Sequence, residues 1–515
     1  MEQHARHLGP PRMKSFFSLI GSLLSVGWVL FVLLTPLLGV WLGSSLVSFY
    51  GGPAELAVAA GVLLFPVLPV LWDARATVKW NRKQQEKKLL GGKPKQRMKA
   101  FDRIVARTLV LNLLLMIGLV VWFPKVAFSA LATRGDWFLL DQQDETSRTV
   151  RGALFASAAG LEWLHQLANP NPYKKEGDDA PVPESVKPVP VVTPTPPIRR
   201  WTKEPLQPDE PGVKEPPPAP QPTWAVGATT WPAPAEVHPV VAAMGAGDEA
   251  SLEAVARYIA SREPDPFQRV KALHDWVVTR LHYDDDSLLP GQRKAQDAVS
   301  VFAGRTGVCE GYARLMVAFG KVTGDQIVYV VGDVREDTGE AAPVGHAWNA
   351  VEIKGSWYVI DATWDDPKLN GSTADVYSTD YLFIPPTIAI YDHRPDDDKW
   401  QLLSAPLSRG DFLRQPFARP GLARVGLELI SPDRTRVEVS EGLQMKISNP
   451  RRLYVMAHIG DRESGKSERC GVDNSESVLL NCAIPASGRY KATIFTNKEL
   501  SGTYRQAATL DVIRH

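Results

Sequence analysis

Long apolar runs dominate the first quarter of this chain. No charged residue lies between Lys14 and Glu55, and Glu55 is the only charged residue before Asp73. A stretch of this length holds two membrane spans of about 20 residues each, with a break near residues 44–53. A cleaved signal peptide is the alternative, but these runs are too long and too many for one.

A third apolar run covers residues 108–131 and predicts a third transmembrane helix. Between the second and third spans, residues 73–107 carry 12 Lys and Arg against 3 Asp and Glu. Short basic loops stay in the cytoplasm, so we predict a membrane domain over residues 1–135 with a cytoplasmic loop at 73–107. The rest of the chain then lies outside the cytoplasm. Binding of anionic lipid or a cytoplasmic partner is the alternative role of this loop.

Proline marks a boundary in the middle of the chain. After a short helical segment at 136–169, residues 170–240 contain 20 of the 42 prolines. Such a segment cannot bury an apolar core, so we predict a disordered, extended linker with a reach of up to roughly 200 Å. Its role is that of a passive tether, or alternatively of a ligand for proline-binding modules.

Helical patterns followed by strand patterns predict an α+β domain over residues 241–415. In EPDPFQRVKALHDWVVTRLHY, Asp265 caps the helix, Pro266 fits its first turn and Gln268 completes a capping box. TGVCEGYARLMVAFGKVTG predicts a second helix with Cys309 at its N-terminus. QIVYVVGDV is a strand, and GHAWNAVEIKGSWYVIDATW reads as a β-hairpin that turns at Lys354-Gly355.

Short alternating strands separated by turn residues dominate the remainder and predict a small β-sandwich over residues 416–515. The strand patterns are VGLELI, RVEVS, LQMKIS, RLYVMAHI, SVLLNCAI, RYKATIF and QAATLDVI. Cys470 and Cys482 lie on two of them or close by. Outside the cytoplasm these two cysteines would form a disulfide, the alternative being two buried thiols.

Charge and composition exclude some functions. A net charge of +1 means that the chain has no overall basic character, which argues against general nucleic-acid binding. The acidic triplets Asp284–Asp286 and Asp396–Asp398 lack the ligand alternation of a calcium loop, which favours solvated loops. The histidines show no zinc spacing, so we expect neither a metal nor another cofactor.

The hairpin register decides whether two of its polar residues meet. With a two-residue turn at Lys354-Gly355, His346 and Asp361 are diagonal neighbours on one face. A three-residue loop would put them on opposite faces. The pair alone fits a structural hydrogen bond as well as a catalytic role.

Cys309 favours the catalytic alternative. A thiolate is stabilised at a helix N-terminus, a nearby imidazole can take the thiol proton, and a carboxylate can orient that imidazole. The alternative is a small buried thiol. The flanking residues Gly307 and Gly311 favour a site, because glycine permits close backbone approach to a ligand.

GVCEGYARLM, GHAWNAVEIKGSWYVIDATWDDP and VKALHDWVVTRLHYD resemble the transglutaminase-like superfamily, which shares the papain-type Cys-His-Asp arrangement. The resemblance covers residues 250–370 and implies that Cys309 is the nucleophile, His346 the base and Asp361 the orienting acid. YLFIPPTIAIYDHRPDDDKWQLLSAPLSRGDF resembles the extension in the branch that contains kyphoscoliosis peptidase and cytokinesis proteins.

The resemblance implies attack on an amide carbonyl, a thioester, and transfer to water or an amine. We expect the Cys309 N–H to be one oxyanion donor, whereas SVFAGRTGVC lacks the glutamine that supplies the second donor in papain-like enzymes. Trp348, Gly311 and Tyr312 are the expected neighbours of the site. For Trp348, core packing is the equally simple alternative.

Two functional hypotheses follow. The first is a multi-pass membrane enzyme of the cell envelope, a thiol peptidase or amidase whose catalytic and C-terminal domains lie outside the cytoplasm. Its partners are a peptide or protein substrate and the membrane, with hydrolysis preferred over crosslinking. The second is a catalytically weak or inactive scaffold that uses the same fold to bind partners.

Overall fold

The computed structural model describes residues 32, 34–93, 96–139, 144–162, 171–175, 224–226, 229–288, 292–335, 345–366, 377–473 and 477–514. The chain divides into two compact units, Met1–Asn169 and Pro170–His515, each of which is described by itself. Most of the first predicted span before residue 34, and the proline-rich run 176–223, lie outside the described residues.

The first unit is helical where it is described. Its helices are α1 (Leu34–Phe49), α2 (Ala54–Leu89), α3 (Ala100–Trp122), α4 (Pro124–Arg134) and α5 (Glu145–Gly160). Within the described residues, α2 alone passes the test of length and apolar composition for a membrane-crossing helix. This is weak support for membrane association, and the three-span topology remains a prediction.

Two expectations for this unit need correction. The third apolar run is not one helix, because α3 ends at Trp122 and Pro124 opens α4. Proline fits the first turn of a helix but lacks the N–H that would continue one. The basic segment 73–107 is mostly helical rather than a loop, and Asp73 of α2 pairs with Arg103 of α3 at 3.0 Å.

The second unit begins with a helical layer packed on an antiparallel sheet. The helices are α6 (Pro239–Ala242), α7 (Leu252–Arg262), α8 (Pro266–Arg280), α9 (Ala298–Gly304) and α10 (Cys309–Thr323). The first strands are β1 (Trp224–Val226), β2 (Thr229–Trp231), β3 (His282–Tyr283), β4 (Thr306–Gly307), β5 (Gln326–Val334), β6 (His346–Ile353), β7 (Ser356–Ile360), β8 (Leu382–Ile384) and β9 (His393–Pro395). The main sheet has the order β8-β7-β6-β5-β9. Apolar side chains of α7, α8 and α10 share one buried cluster with residues of β5, β6 and β7.

Helix α8 begins where its sequence predicts. The Asp265 carboxylate accepts hydrogen bonds from the backbone N–H groups of Phe267 (3.0 Å) and Gln268 (3.1 Å). The reciprocal contact of the expected capping box comes from a different residue, because Glu263 accepts the Asp265 N–H at 3.1 Å. The helix N-terminus is therefore satisfied from the preceding chain rather than by Gln268.

The last hundred residues form two mostly antiparallel sheets around one apolar core. Three short helices lie before or among the first of these strands: α11 (Pro386–Ala389), α12 (Arg409–Arg414) and α13 (Pro420–Arg424). The strands are β10 (Phe417–Ala418), β11 (Glu428–Ser431), β12 (Arg436–Val439), β13 (Gly442–Ser448), β14 (Tyr454–Asp461), β15 (Ser467–Arg469), β16 (Gly471–Asp473), β17 (Ser477–Ala483), β18 (Gly488–Asn497) and β19 (Arg505–Arg514). One sheet has the order β10-β19-β18-β14-β15 with β12 added on β19, and the other has the order β11-β13-β17-β16. Alternating side chains of both sheets share a buried cluster. Cys470 and Cys482 form a disulfide.

Both ends of the predicted linker are packed rather than disordered. Near its start, Tyr173 is 2% exposed, and near its end Trp231 is 4% exposed. The Trp231 indole N–H donates to the Asp380 carbonyl at 3.0 Å, and His238 donates its backbone N–H to Asp275 at 2.7 Å. Proline enrichment continues into these segments, but their aromatic side chains find apolar surface to bury, which composition alone does not reveal.

Candidate active site

Cys309 opens helix α10 and is buried at 2% exposure. The residue before it, Val308, is extended, and its N–H donates to the Gln296 side-chain carbonyl at 2.9 Å. A Cβ at Gly311 would lie 2.6 Å from Gln296 Oε1 and 2.8 Å from a Val301 methyl. The close approach that this glycine permits is therefore to the protein's own side chains, not to a ligand as its sequence position led us to expect.

The hairpin has the two-residue turn that brings its polar residues to one side. Lys354 and Gly355 have φ angles of 52° and 79°, both in the left-handed region that such turns require. The strand ladder keeps the expected register as far as the pair Asn349 and Ile360. Asp361 follows directly, just beyond the end of β7.

The structure brings the three predicted residues into one hydrogen-bonded row. His346 Nε2 lies 2.7 Å from Asp361 Oδ2, and the imidazole also hydrogen-bonds to Cys309. Because Nε2 is engaged with the carboxylate, Nδ1 is the ring nitrogen left available for the sulfur. The second Asp361 oxygen accepts the backbone N–H groups of Thr363 (2.9 Å) and Trp364 (3.3 Å), which fixes the orientation of the carboxylate.

The pKa values of His346 and Asp361 lie far from the ordinary values of these groups. Burial by itself would lower the pKa of His346, but the negative charges of Asp361 and then Cys309 raise that pKa to about 10. Burial would raise the pKa of Asp361, but the two imidazoles of His346 and His393 hold it well below its usual range. The imidazole of His346 is therefore protonated at neutral pH, beside the Asp361 carboxylate.

A fourth residue, His393 on β9, extends the row. Its Nε2 lies 3.0 Å from Asp361 Oδ2 and its Nδ1 lies 2.7 Å from Asp392 Oδ1. The Tyr381 hydroxyl donates to the other Asp392 oxygen at 2.6 Å. The sequence motifs did not identify His393, because it lies outside the Cys, His and Asp motifs. Its stretch IYDHRPDDD belongs to the extension that follows them.

His346, Asp361 and His393 also form the group that could hold a metal ion among the described residues, since their candidate ligand atoms lie within 4.8 Å of one another. The same atoms are hydrogen-bonded to each other. A cation would have to displace the protons that join the two imidazoles to the carboxylate, and the result would be a carboxylate no longer available to orient His346.

The expected neighbours of the site have different positions. The Trp348 ring stacks near the His346 ring, with centroids 6.0 Å apart, and it also belongs to a buried apolar cluster. Tyr312 is fully buried, and its hydroxyl donates to Asp366 at 2.5 Å. Trp348 therefore contacts the imidazole, whereas Tyr312 secures the chain just after Asp361.

A buried polar network also secures this part of the chain to helix α8. His274 Nε2 lies 3.1 Å from Asp365, and its Nδ1 lies 3.2 Å from Asp275. Lys271 donates to Asp275 at 2.6 Å. All four side chains are buried, so the motif VKALHDW supports the loop that carries Asp361 rather than contributing to the row itself.

The acidic triplets are engaged by protein groups. Asp284 pairs with Lys294 at 2.8 Å, and that hydrogen bond lowers the pKa of Asp284. Asp398 pairs with Arg394 at 3.1 Å, and Asp397 caps a short 3-10 turn by accepting the Lys399 N–H. At least one carboxylate of each triplet is therefore held by a neighbouring group of the protein.

Comparison with known proteins identifies the fold that carries this row. Residues 253–362 match the family described as the Transglutaminase-like superfamily. Kyphoscoliosis peptidase of Mus musculus is 28% identical over 238 residues, and that of Homo sapiens is 27% identical over 239 residues. Each match covers 44% of this chain and 35% of the relative, so the chain spans about a third of these relatives' length.

A solved structure described as a crystal structure of a TGase is also similar, with 20% identity over 25% of this chain and 34% of that chain and a TM-score of 0.20. Within this chain, the domain that matches the transglutaminase-like family model is of the α+β class, and the matched residues 253–362 include Cys309, His346 and Asp361.

Proposed function

We propose that this chain is a membrane-anchored thiol enzyme whose transglutaminase-like domain hydrolyses peptide or protein amides through a thioester. The observation that carries the proposal is the connected row of Cys309, His346 and Asp361, with the thiol beside a protonated imidazole. The basic segment 73–107 and the apolar runs around it support a location of the domain outside the cytoplasm.

In the acylation step, the Cys309 thiolate attacks the amide carbonyl carbon and forms a C–S bond. His346 donates its Nδ1 proton to the amine, which leaves as the C–N bond breaks. Asp361 keeps the imidazole oriented and stabilises its charged form. The products are a thioester on Cys309, a free amine and a neutral His346.

In the deacylation step, neutral His346 removes a proton from water, which attacks the thioester carbonyl. The C–S bond breaks, the acid is released, and the thiolate and imidazolium are restored. The oxyanion that forms in each step lies next to the first turn of α10, where the Cys309 N–H has no acceptor within the helix.

Water is the acceptor that we favour over an amine. Transamidation needs a site that excludes water and holds a second substrate amine beside the thioester, whereas hydrolysis needs neither. An amine acceptor would use the same first step and give crosslinked products instead of acids. The choice is therefore made by product analysis and does not alter the role of the row.

The test is an amide assay on the full chain in detergent micelles, with denatured casein and a mixed peptide library as substrates. New α-amino groups and released ammonia would be measured for the unmodified chain, for Cys309→Ala and for the exposed control Asp398→Asn. We expect turnover to be lost in Cys309→Ala and retained in the control. Equal turnover in Cys309→Ala would rule out the thiol mechanism.

A second candidate function is that of a binding module, and one observation favours it. Tyr173 packs against Cys309 in a buried cluster, so the thiol is covered by the protein's own chain. A domain used only for binding would capture its partner equally well with Cys309→Ala. Pull-down with that variant, beside the amide assay, separates the two functions.

A further inference from the structure

A short stretch of chain, Asn171–Lys175, lies over the thiol although it precedes the catalytic cysteine by more than a hundred residues. Tyr173 shares a buried cluster with Val308, Cys309, Ala313 and Ala347, and its side chain hydrogen-bonds to Cys309. Burial and then the charge of Cys309 raise the pKa of Tyr173, so its hydroxyl stays protonated and donates to the sulfur.

The backbone of this stretch is also held by the domain. The Tyr329 hydroxyl on β5 donates to the Tyr173 carbonyl at 2.9 Å, and the Asn171 amide donates to the Gly332 carbonyl at 3.4 Å. A Cβ at Gly345 would lie 2.5 Å from the Asn171 side chain, so glycine leaves room for it. A strand residue and a backbone carbonyl therefore bind the stretch as they would bind a peptide.

Two charged contacts complete the set. Lys175 lies 2.5 Å from Glu310, which is fully buried beside Cys309 and also pairs with Arg293 and Arg314. The Arg293 guanidinium lies over the Tyr173 ring, 5.1 Å from its centroid. The surface around the thiol thus binds the aromatic ring of one residue and the positive charge of the residue two positions later in the bound chain.

We propose that Asn171–Lys175 is an internal occupant of the substrate cleft: it masks Cys309, and the places it fills define the substrate class as peptides that turn at an aromatic residue followed two positions later by lysine. The substrate half of this statement rests on the proposed function, whereas the masking half does not. The occupant belongs to the same chain as the cleft, so it competes with free peptides as an intramolecular ligand, at an effective concentration on the order of 1 mM.

The masking is tested by alkylation of Cys309 in the full chain, because the other two cysteines form a disulfide. Iodoacetamide modification would be followed by mass spectrometry of the peptide that contains Cys309. We expect Tyr173→Ala to raise the alkylation rate on the order of tenfold, because removing a buried ring favours the open state. Lys175→Glu should raise the rate less, since Lys175 is half exposed and Glu310 keeps its two arginines.

The matched control is Tyr504→Ala, in the loop just before β19, where the tyrosine hydroxyl donates to the Leu500 carbonyl. It should leave the alkylation rate unchanged. Tyr173→Phe keeps the ring and should stay close to the unmodified chain in thermal unfolding, so its smaller rise in rate cannot be ascribed to misfolding. Equal rates in the unmodified chain, Tyr173→Ala and Lys175→Glu would overturn the masking.

The substrate class is tested by adding the capped peptide Asn-Pro-Tyr-Lys-Lys at several millimolar to the Tyr173→Ala chain. We expect the peptide to slow alkylation again, and we expect its scrambled form and its Tyr-to-Leu form to have no effect. Protection by all three peptides, or by none, would overturn the recognition of the aromatic and basic pair. If masking and protection are seen but no amide is turned over, the occupant stands and the proposed hydrolysis falls.

Discussion

Replacing Asp361 by Asn is the most informative change in this protein. Asparagine keeps the size of the side chain and a hydrogen-bond acceptor for His346, but it removes the negative charge that lies 2.7 Å from the imidazole. The change therefore removes the charge of residue 361 while keeping the size of its side chain. Nearly all of the expected effect falls on one measurable quantity, the pKa of His346.

The size of the expected change in the pKa of His346 follows from the contacts of its imidazole. Burial alone would lower the pKa of His346, yet Asp361 and then Cys309 raise it from 6.5 to about 10. At 1.36 kcal/mol per pKa unit, the charged imidazole is stabilised in the fold by roughly 5 kcal/mol relative to its unfolded state. Losing one close opposite charge should lower the pKa of His346 by about 2 units.

The same pKa values determine how the free energy of unfolding changes with pH. Because the folded-state pKa of His346 is raised, its contribution to the free energy of unfolding is fully present below pH 6.5 and is lost as the pH rises through about 10. In Asp361→Asn the loss should be complete at lower pH, near 8. Between pH 6.5 and 10 the variant should therefore show a flatter dependence of unfolding free energy on pH.

The assay is a titration of histidine ring signals by NMR on the full chain, labelled with ¹⁵N-histidine and held in detergent micelles. His346→Gln identifies the His346 signal among the 10 histidines of the chain. Asp398→Asn, at a mostly exposed carboxylate, is the matched control and should leave the titration unchanged. A His346 midpoint that is the same in Asp361→Asn and in the unmodified chain would refute the electrostatic account of the row.

Three further changes probe the support of the site. His393→Gln removes one of the two imidazoles that donate to Asp361, and it should lower amide turnover about tenfold and the free energy of unfolding by about 1–3 kcal/mol, measured by enzyme assay and urea denaturation. Gly311→Ala forces a Cβ against a side chain 2.6 Å away and should cost about 1–3 kcal/mol in the same denaturation experiment. Replacing Cys470 and Cys482 together by Ala removes a cross-link across 12 residues and should cost about 2–3 kcal/mol, while leaving the alkylation rate of Cys309 unchanged.

The histidine and glycine changes each have a matched control. His458→Gln lies on β14 away from the row and should not affect turnover, and Gly247→Ala has open space at its Cβ and should not affect stability. Full turnover in His393→Gln would show that the second imidazole does not position Asp361. A fully stable Gly311→Ala would show that the chain around Cys309 adapts freely.

The parts of the fold that sequence predicts well are those that depend on neighbouring residues. Lys354-Gly355 requires left-handed backbone and so fixes the hairpin register, and with it the side of the sheet on which His346 lies. Asp265 and Pro266 fix the start of helix α8 in the same local way. The convergence of His346 with Asp361 follows from the register.

The parts that sequence could not predict depend on residues distant along the chain. His393 reaches Asp361 only because β9 pairs with β5, and a pairing of strands separated by the whole hairpin has no local signature. Gln296 accepts the N–H of Val308, next to Cys309, although it lies 13 residues before the cysteine and outside the stretch SVFAGRTGVC that directly precedes it. Tyr173 lies in a proline-rich context that predicts disorder, and its burial depends on a cleft formed by other elements.

The central claim is that Cys309 forms a thioester with an amide substrate, with His346 as the proton carrier. The direct measurement is mass spectrometry of the Cys309 peptide after rapid acid quenching of the full chain with a peptide library. We predict an acyl adduct on Cys309 that hydroxylamine removes, and its absence in His346→Gln. No adduct on Cys309 under conditions of measurable amide turnover, or an equal adduct in His346→Gln, would contradict the account.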